Sequence, residues 1–194
     1  MDTQEVHMTS LKIILVTITL FSSISPTTNQ EQHQPTPLVQ RAQALKAEVP
    51  RVLCLNEKIA TGGQPTNQAY GKLAANGFRS VLNLRTDSEG VDLEKERELV
   101  KQAGLHYISI PVESKAPREE QVSEFIRVVK DQANHPMLIY CGSANRVGAF
   151  WMIYRVVEEG WSEEKALEEA ERVGLRSGQM KEFAQGYVAR HKAK

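Results

Sequence analysis

The stretch that most restricts what this chain can become runs from Pro136 to Val157. Met137-Leu138-Ile139-Tyr140 is a short apolar run opened by a proline, the pattern of a strand buried on both faces. Val147 to Val157 is apolar on nearly every side, which predicts a helix inside a core rather than on its rim. Between them stands Cys141-Gly142-Ser143-Ala144-Asn145-Arg146. Small residues let a backbone wrap tightly, and wrapped amides at a helix N-terminus make an anion site. A cysteine at the mouth of such a loop meets the positive end of the helix dipole and the Arg146 guanidinium, which both favour thiolate, the nucleophilic form. Arg146 can grip an oxyanion with two parallel hydrogen bonds, which a lysine cannot do. Taken singly, the cysteine reads as a small buried residue and the arginine as a surface charge. The strand, loop, arginine and buried helix together predict an anion-binding site.

Composition narrows the partners. Lys plus Arg and Asp plus Glu number 24 each in 194 residues, so no basic excess exists to neutralise a nucleic-acid backbone. Two cysteines, Cys54 and Cys141, are too few for a disulfide scaffold. The five histidines share no metal-ligand spacing with one another or with a cysteine, and neither a metal nor another cofactor is expected. Hydrophobic content of 41% is ordinary for one globular domain with a tail or leader.

Along the chain, residues 1–25 read as a secretory signal: Lys12 precedes the apolar run Ile13 to Phe21, too short to span a bilayer comfortably. Export to the periplasm or medium follows if that leader is genuine, and a cytoplasmic location otherwise; no stable membrane span is expected. Residues 26–50 read as a polar linker carrying a short helix from Leu38 to Val49, ended by Pro50. The domain proper is expected over 51–194. Strands are expected at Val52–Leu55, Lys58–Ala60, Phe78–Leu84, Leu105–Ile110 and Met137–Tyr140. Helices are expected from an N-cap at Thr66 to Asn76, and over Glu89–Ala103, Pro117–Ala133, Ser162–Val173 and Ser177–His191. Gly62-Gly63-Gln64-Pro65 must turn. Alternating strands and helices with short connections predict an α/β fold in three layers, a mainly parallel central sheet with helices on both faces. Ligands in such folds bind beyond the carboxyl ends of the strands, where Cys141 lies.

Three pieces carry a family resemblance: Thr61-Gly62-Gly63-Gln64-Pro65-Thr66, the run Val81-Leu82-Asn83-Leu84-Arg85, and Tyr140-Cys141 through Arg146. Together they resemble the bacterial phosphatase-like domain of the beta-lactamase hydrolase-like family, a branch of the cysteine-based dual-specificity and tyrosine phosphatases. Gly160-Trp161-Ser162-Glu163 and Gly174-Leu175 are similar to helical segments of that superfamily. The resemblance implies a phosphatase acting on a phosphorylated protein or small phosphate ester. Cys141 would attack phosphorus to form a phosphocysteine, while Arg146 and the amides of Gly142, Ser143, Ala144 and Asn145 hold the phosphoryl oxygens. The chain departs from the usual motif in having four residues between Cys and Arg, a length known in this branch, and in Tyr140, Ala144 and Val147, where His, Gly and Ser or Thr are usual.

The general acid should come from the loop after the preceding strand. Residues 111–120 offer Glu113, Glu119 and Glu120, of which Glu113 is nearest the strand end, while the other two suit a helix start. His106, inside a strand, reads as packing. Two other functions fit the loop: a rhodanese-like sulfurtransferase carrying a persulfide on Cys141, and a catalytically idle module that uses the loop to hold phosphate. Cys54 is either a small core residue or, if exported, a disulfide partner for Cys141, which needs Cα atoms within about 7 Å.

Overall fold

The computed structural model describes residues 37–191; the expected leader and residues 26–36 of the expected linker lie outside them. Five strands form one sheet: β1 (Leu53–Cys54), β2 (Ile59–Gly62), β3 (Ser80–Asn83), β4 (His106–Ser109) and β5 (Met137–Tyr140), in the order β1-β2-β5-β3-β4. Four run parallel, and β1 closes one edge antiparallel to β2. The register sets Thr61 and Leu82 beside Ile139, and Gly62 and Asn83 beside Tyr140, so the carboxyl ends of β2, β3 and β5 finish level with one another. Cys141 follows directly.

Helices cover both faces, as the alternating pattern predicts. On one side lie α1 (Pro37–Leu45), α2 (Ala69–Ala75) and α3 (Leu93–Gln102); on the other, α4 (Glu119–Lys130), α5 (Asn145–Val157), α6 (Glu163–Val173) and α7 (Gly178–His191). The period of two divides β5 between the layers. Met137 and Ile139 pack with Phe125, Phe150 and Val156, while Leu138 and Tyr140 pack with Tyr70, Leu73 and Val81. All four strand residues are fully buried, as expected of a central parallel strand.

Helix α5 has the all-round apolar character read from its sequence: Phe150, Trp151, Met152 and Ile153 are consecutive and buried. Its one charged residue near the C-terminal end, Arg155, is buried between the rings of Trp151 and Trp161, at 4.6 and 4.2 Å from their centroids. Glu169 accepts from its Nε at 2.6 Å and from Trp151 Nε1 at 2.7 Å, so the charge is paired where it is largely shielded from water. A Cβ on Gly148 would stand 2.7 Å from the Ala170 carbonyl oxygen and 2.8 Å from the Leu175 nitrogen; its absence lets α5 lie directly against the end of α6.

Several boundaries differ from expectation. Leu45 and Val49 are fully buried against Tyr70 and Leu73, so the short helix assigned to a linker is part of the packed core. Thr66 does not cap α2, which begins at Ala69; its hydroxyl instead donates to the Glu48 carboxylate. The helix expected from Glu89 begins only at Leu93, behind the Asp92 cap that accepts from the Lys95 amide at 3.0 Å, and Glu89 ends a separate 3-10 turn, Asp87–Glu89. His106 is exposed on the edge strand β4 rather than packed. Ser162 caps α6 as read, accepting from the Lys165 amide at 3.3 Å.

Candidate active site

The loop from Cys141 to Arg146 joins the end of β5 to the start of α5. Cys141 is 1% exposed, Ala144 is buried, and Gly142 and Ser143 face solvent. Ala144 sits just before α5 at φ 66°, a left-handed conformation that costs a non-glycine residue about 1 kcal/mol or more. The turn therefore keeps the shape that glycine would give at this position. The amides of the first turn of α5 have no acceptor within the helix, which is the general condition for receiving an anion. Asn145 opens α5, and its side chain looks away from the loop: Oδ1 accepts from the backbone amides of Arg176 (2.8 Å) and Ser177 (3.0 Å) ahead of α7.

Arg146 is 5% exposed, and its donors are fixed from three segments. Nη1 donates to the carbonyl of Leu84, just after β3, at 3.1 Å and to that of Val112, beyond β4, at 2.8 Å. Nη1 and Nη2 also grip the two oxygens of Glu89 at 2.5 and 2.7 Å. The Cys141 sulfur lies within reach of the same guanidinium. Burial works against the Arg146 charge, but the bonds to Glu89 outweigh it and hold the pKa above its ordinary value. Burial likewise opposes the Glu89 carboxylate, and the bonds from Arg146, the Thr86 amide and Arg85 prevail, bringing it down to about 2.

Glu89 is not evident from the sequence, where it reads as the start of a charged helix, yet it closes a separate turn ahead of that helix. The Thr86-x-x-Glu89 spacing, a capping box, was the available signal. Gln64 and Arg85 belong to the same assembly. Arg85 donates to the Glu89 carboxylate (3.2 Å) and carbonyl (3.1 Å), and to Gln64 Oε1 at 2.7 Å. Gln64 in turn donates from Nε2 to Glu96 at 2.7 Å, where Tyr70 and Asn83 also converge. The Gly62-Gly63 pair has a steric reason. A Cβ on Gly62 would meet Val49 Cγ1 at 2.5 Å, and one on Gly63 would meet the Gly142 carbonyl at 3.2 Å. The Gln64 amide donates to that same carbonyl at 3.2 Å, so the Gly-Gly-Gln run forms one wall of the loop.

Glu113 follows Val112, whose carbonyl holds Arg146. Its side chain is exposed and accepts from Ser88 at 3.3 Å, beside a groove of about 570 Å³ that Asp87 and Arg118 also line. Glu119 opens α4 and pairs with Arg190, away from the loop. Tyr140, in place of the usual histidine, points into the α1–α3 layer, where burial first and the neighbouring Tyr70 and Glu96 next push its pKa well up. Cys54 cannot meet Cys141. It pairs with Ala60, which pairs with Leu138, so it is two strands away and offset by three residues, roughly 14 Å in all. Among the described residues no group of three His, Cys, Asp or Glu is disposed to hold a metal, and no helix is long and apolar enough to cross a membrane.

Residues 48–188 match the family model described as DSP-PTPase phosphatase fused to NAD+ kinase. The chain belongs to this family. It is 28% identical over 111 residues to the beta-lactamase hydrolase-like protein of Xylella fastidiosa, covering 56% of this chain and 26% of that protein. It is 29% identical over 97 residues to the dual specificity protein phosphatase TpbA of Pseudomonas aeruginosa, covering 49% and 44%. The chain thus spans about a quarter to under half of these relatives. The fold is that of the DUF442 protein of Shewanella putrefaciens (TM-score 0.66, 21% identity, 78% of this chain and 99% of that one). It is equally that of the catalytic core of the PP-IP phosphatase SIW14 of S. cerevisiae (TM-score 0.62, 18% identity, 72% and 87%). The resemblance drawn from the loop and the Gly-Gly-Gln segment is therefore correct at the level of the family.

Proposed function

We propose that this domain is a cysteine-dependent phosphatase that hydrolyses a phosphomonoester. The observation that carries the reading is the buried Arg146, held from three segments with the Cys141 sulfur beside its guanidinium. Cys141 attacks phosphorus as thiolate, forming the P–S bond as the bond to the ester oxygen breaks. Arg146 and the loop amides take the charge that spreads over the phosphoryl oxygens. Glu113, one residue beyond the carbonyl that holds Arg146, is assigned as the acid that protonates the leaving oxygen. Water then gives a proton to the Glu113 carboxylate and attacks phosphorus, the P–S bond breaks, and phosphate leaves with the thiolate and the acid restored. The substrate is a phosphorylated protein or a small phosphate ester.

The family match sets the sulfurtransferase alternative aside. The idle anion-binding module is the reading against which activity is tested. Purified chain is assayed with an aryl phosphate, and the Cys141→Ser variant beside it. Turnover in the wild type and none in the variant, with the fold retained by circular dichroism, is the expected result. Equal turnover in both would remove the thiolate step, since serine without an adjacent base is too weak a nucleophile.

A further inference from the structure

Beside the loop lies an open cavity of about 400 Å³ lined by Arg51, Ser143, Asn145, Gly174, Arg176 and Ser177. Ser143 and Asn145 come from the loop itself, so the cavity adjoins the segment expected to hold the phosphoryl group. Its two charged residues are both arginines, and both are exposed. Among the described residues neither has a carboxylate within ion-pair reach, whereas Arg85, Arg146, Arg155 and Arg190 each hold one. Arg176 is nonetheless anchored. Its Nη1 donates to the backbone carbonyls of Glu171 (2.5 Å) and Leu175 (2.6 Å), which leaves Nε and Nη2 for another acceptor. Glu168 and Glu171 line the adjoining groove and do not reach this cavity.

Arg51 is the more telling of the two. The Val52 amide donates to the Val49 carbonyl, closing a turn with Pro50 second and Arg51 third, and Arg51 has φ 57°. That is the place where a type II turn ordinarily takes glycine, and an arginine there carries a backbone cost. The turn is fastened to the site, because the Gly63 amide donates to the Pro50 carbonyl at 2.7 Å and Gly63 crowds the Gly142 carbonyl. A long cationic side chain is thus kept, against its backbone preference and with no carboxylate partner among the described residues, on a rigid support at the edge of the loop. Backbone strain in such a place points to a functional constraint.

We infer that Arg51 and Arg176 form a second anion subsite, and that the substrate is a small phosphate ester bearing a second phosphate, one group seated in the loop and the other between these two arginines. This rests on the phosphatase reading for turnover, but not for binding. Two guanidiniums converging on one phosphate supply charge-assisted bonds that a monophosphate cannot use. Because both are exposed, the preference weakens as salt rises.

The test uses the full chain at low salt with butyl phosphate and with a series of linear alkanediol bisphosphates from ethane to hexane, which leaves the distance between the two sites free. Turnover is measured by phosphate release and binding by calorimetry. The best bisphosphate is expected to show at least tenfold higher kcat/KM and tenfold tighter binding than butyl phosphate. Arg51→Gly and Arg176→Gln should each bring both ratios down severalfold, toward one. Arg51→Gly relieves the positive φ, so its Tm should equal or exceed that of the wild type, and its loss of preference cannot be ascribed to misfolding. Equal binding of mono- and bisphosphates by the wild type, or unchanged ratios in both variants, overturns the subsite. Bisphosphate preference in binding with no turnover of any ester leaves the subsite standing and overturns the phosphatase reading instead.

Discussion

Replacing Glu89 by glutamine removes one charge from between two buried arginines while keeping the side chain's shape. The carboxyl titrates at about 2 against an ordinary 4.5. At about 1.4 kcal/mol per tenfold, the ion pairs are worth at most about 3.4 kcal/mol to the folded state. The Glu89 side chain is 27% exposed, and water and salt weaken its pairs, so about half of that ceiling, ~1.5–2 kcal/mol, is expected. The folded-state carboxyl is the more acidic one, so its contribution is fully present above pH 4.5 and is lost as pH falls through about 2. By pH 3.5 about two-fifths of it should be gone. Urea unfolding of wild type and Glu89→Gln at pH 7, 5 and 3.5 gives the comparison. The variant should be less stable by a similar amount at pH 7 and 5, and the gap should narrow at pH 3.5. A gap that stays constant through pH 3.5, or no gap at pH 7, would refute the view that this carboxylate carries the arginine pair as an ion.

Three further outcomes follow from the geometry. Glu113→Gln should lower kcat about 100-fold for an alkyl phosphate, whose leaving oxygen needs a proton, and far less for p-nitrophenyl phosphate; equal losses on both would remove the acid role. Millimolar inorganic phosphate should raise the Tm of the wild type by linkage, and Arg146→Ala should abolish most of that rise even after its own loss of stability is allowed for; a full rise in the variant would take the anion away from Arg146. Gly148→Ala should destabilise the fold by about 1–2 kcal/mol by driving a methyl into the backbone at Ala170 and Leu175, whereas Gly71→Ala, with open space around it, should stabilise α2 by about 0.5–1 kcal/mol; urea midpoints of the two decide it.

The layered fold and the central strand and helix were legible because each rests on a local pattern. Met137–Tyr140 is uninterrupted apolar chain, α5 is apolar all round, and Ser162 is a cap of known type. The cysteine and arginine were legible for the same reason, since strand, small residues and helix are contiguous. What surrounds them was not, because it is assembled across the sheet. Glu89 is 57 residues from Arg146 along the chain, and its own neighbourhood of Asp92, Glu94 and Glu96 reads as an exposed acidic helix start. Gln64 read as part of a turn, although its two amide ends join Arg85 to Glu96. The helix at 37–45 reads as linker because its moderate apolar face gives no hint that Leu45 and Val49 are fully enclosed. Cys54 shows the converse. Two cysteines near strand ends leave a pair open, and the strand order and register together separate them.

The cradle around Arg146 has a thermodynamic consequence for whatever the loop receives. A free arginine side chain that must be ordered to grip a ligand gives up about 2 kcal/mol of rotamer entropy when it does so. Here the carbonyls of Leu84 and Val112 and the Glu89 carboxylate have already fixed the guanidinium, so that entropy was surrendered when the chain folded. An arriving oxyanion meets a stationary fork, and its binding enthalpy is not spent on holding the side chain still.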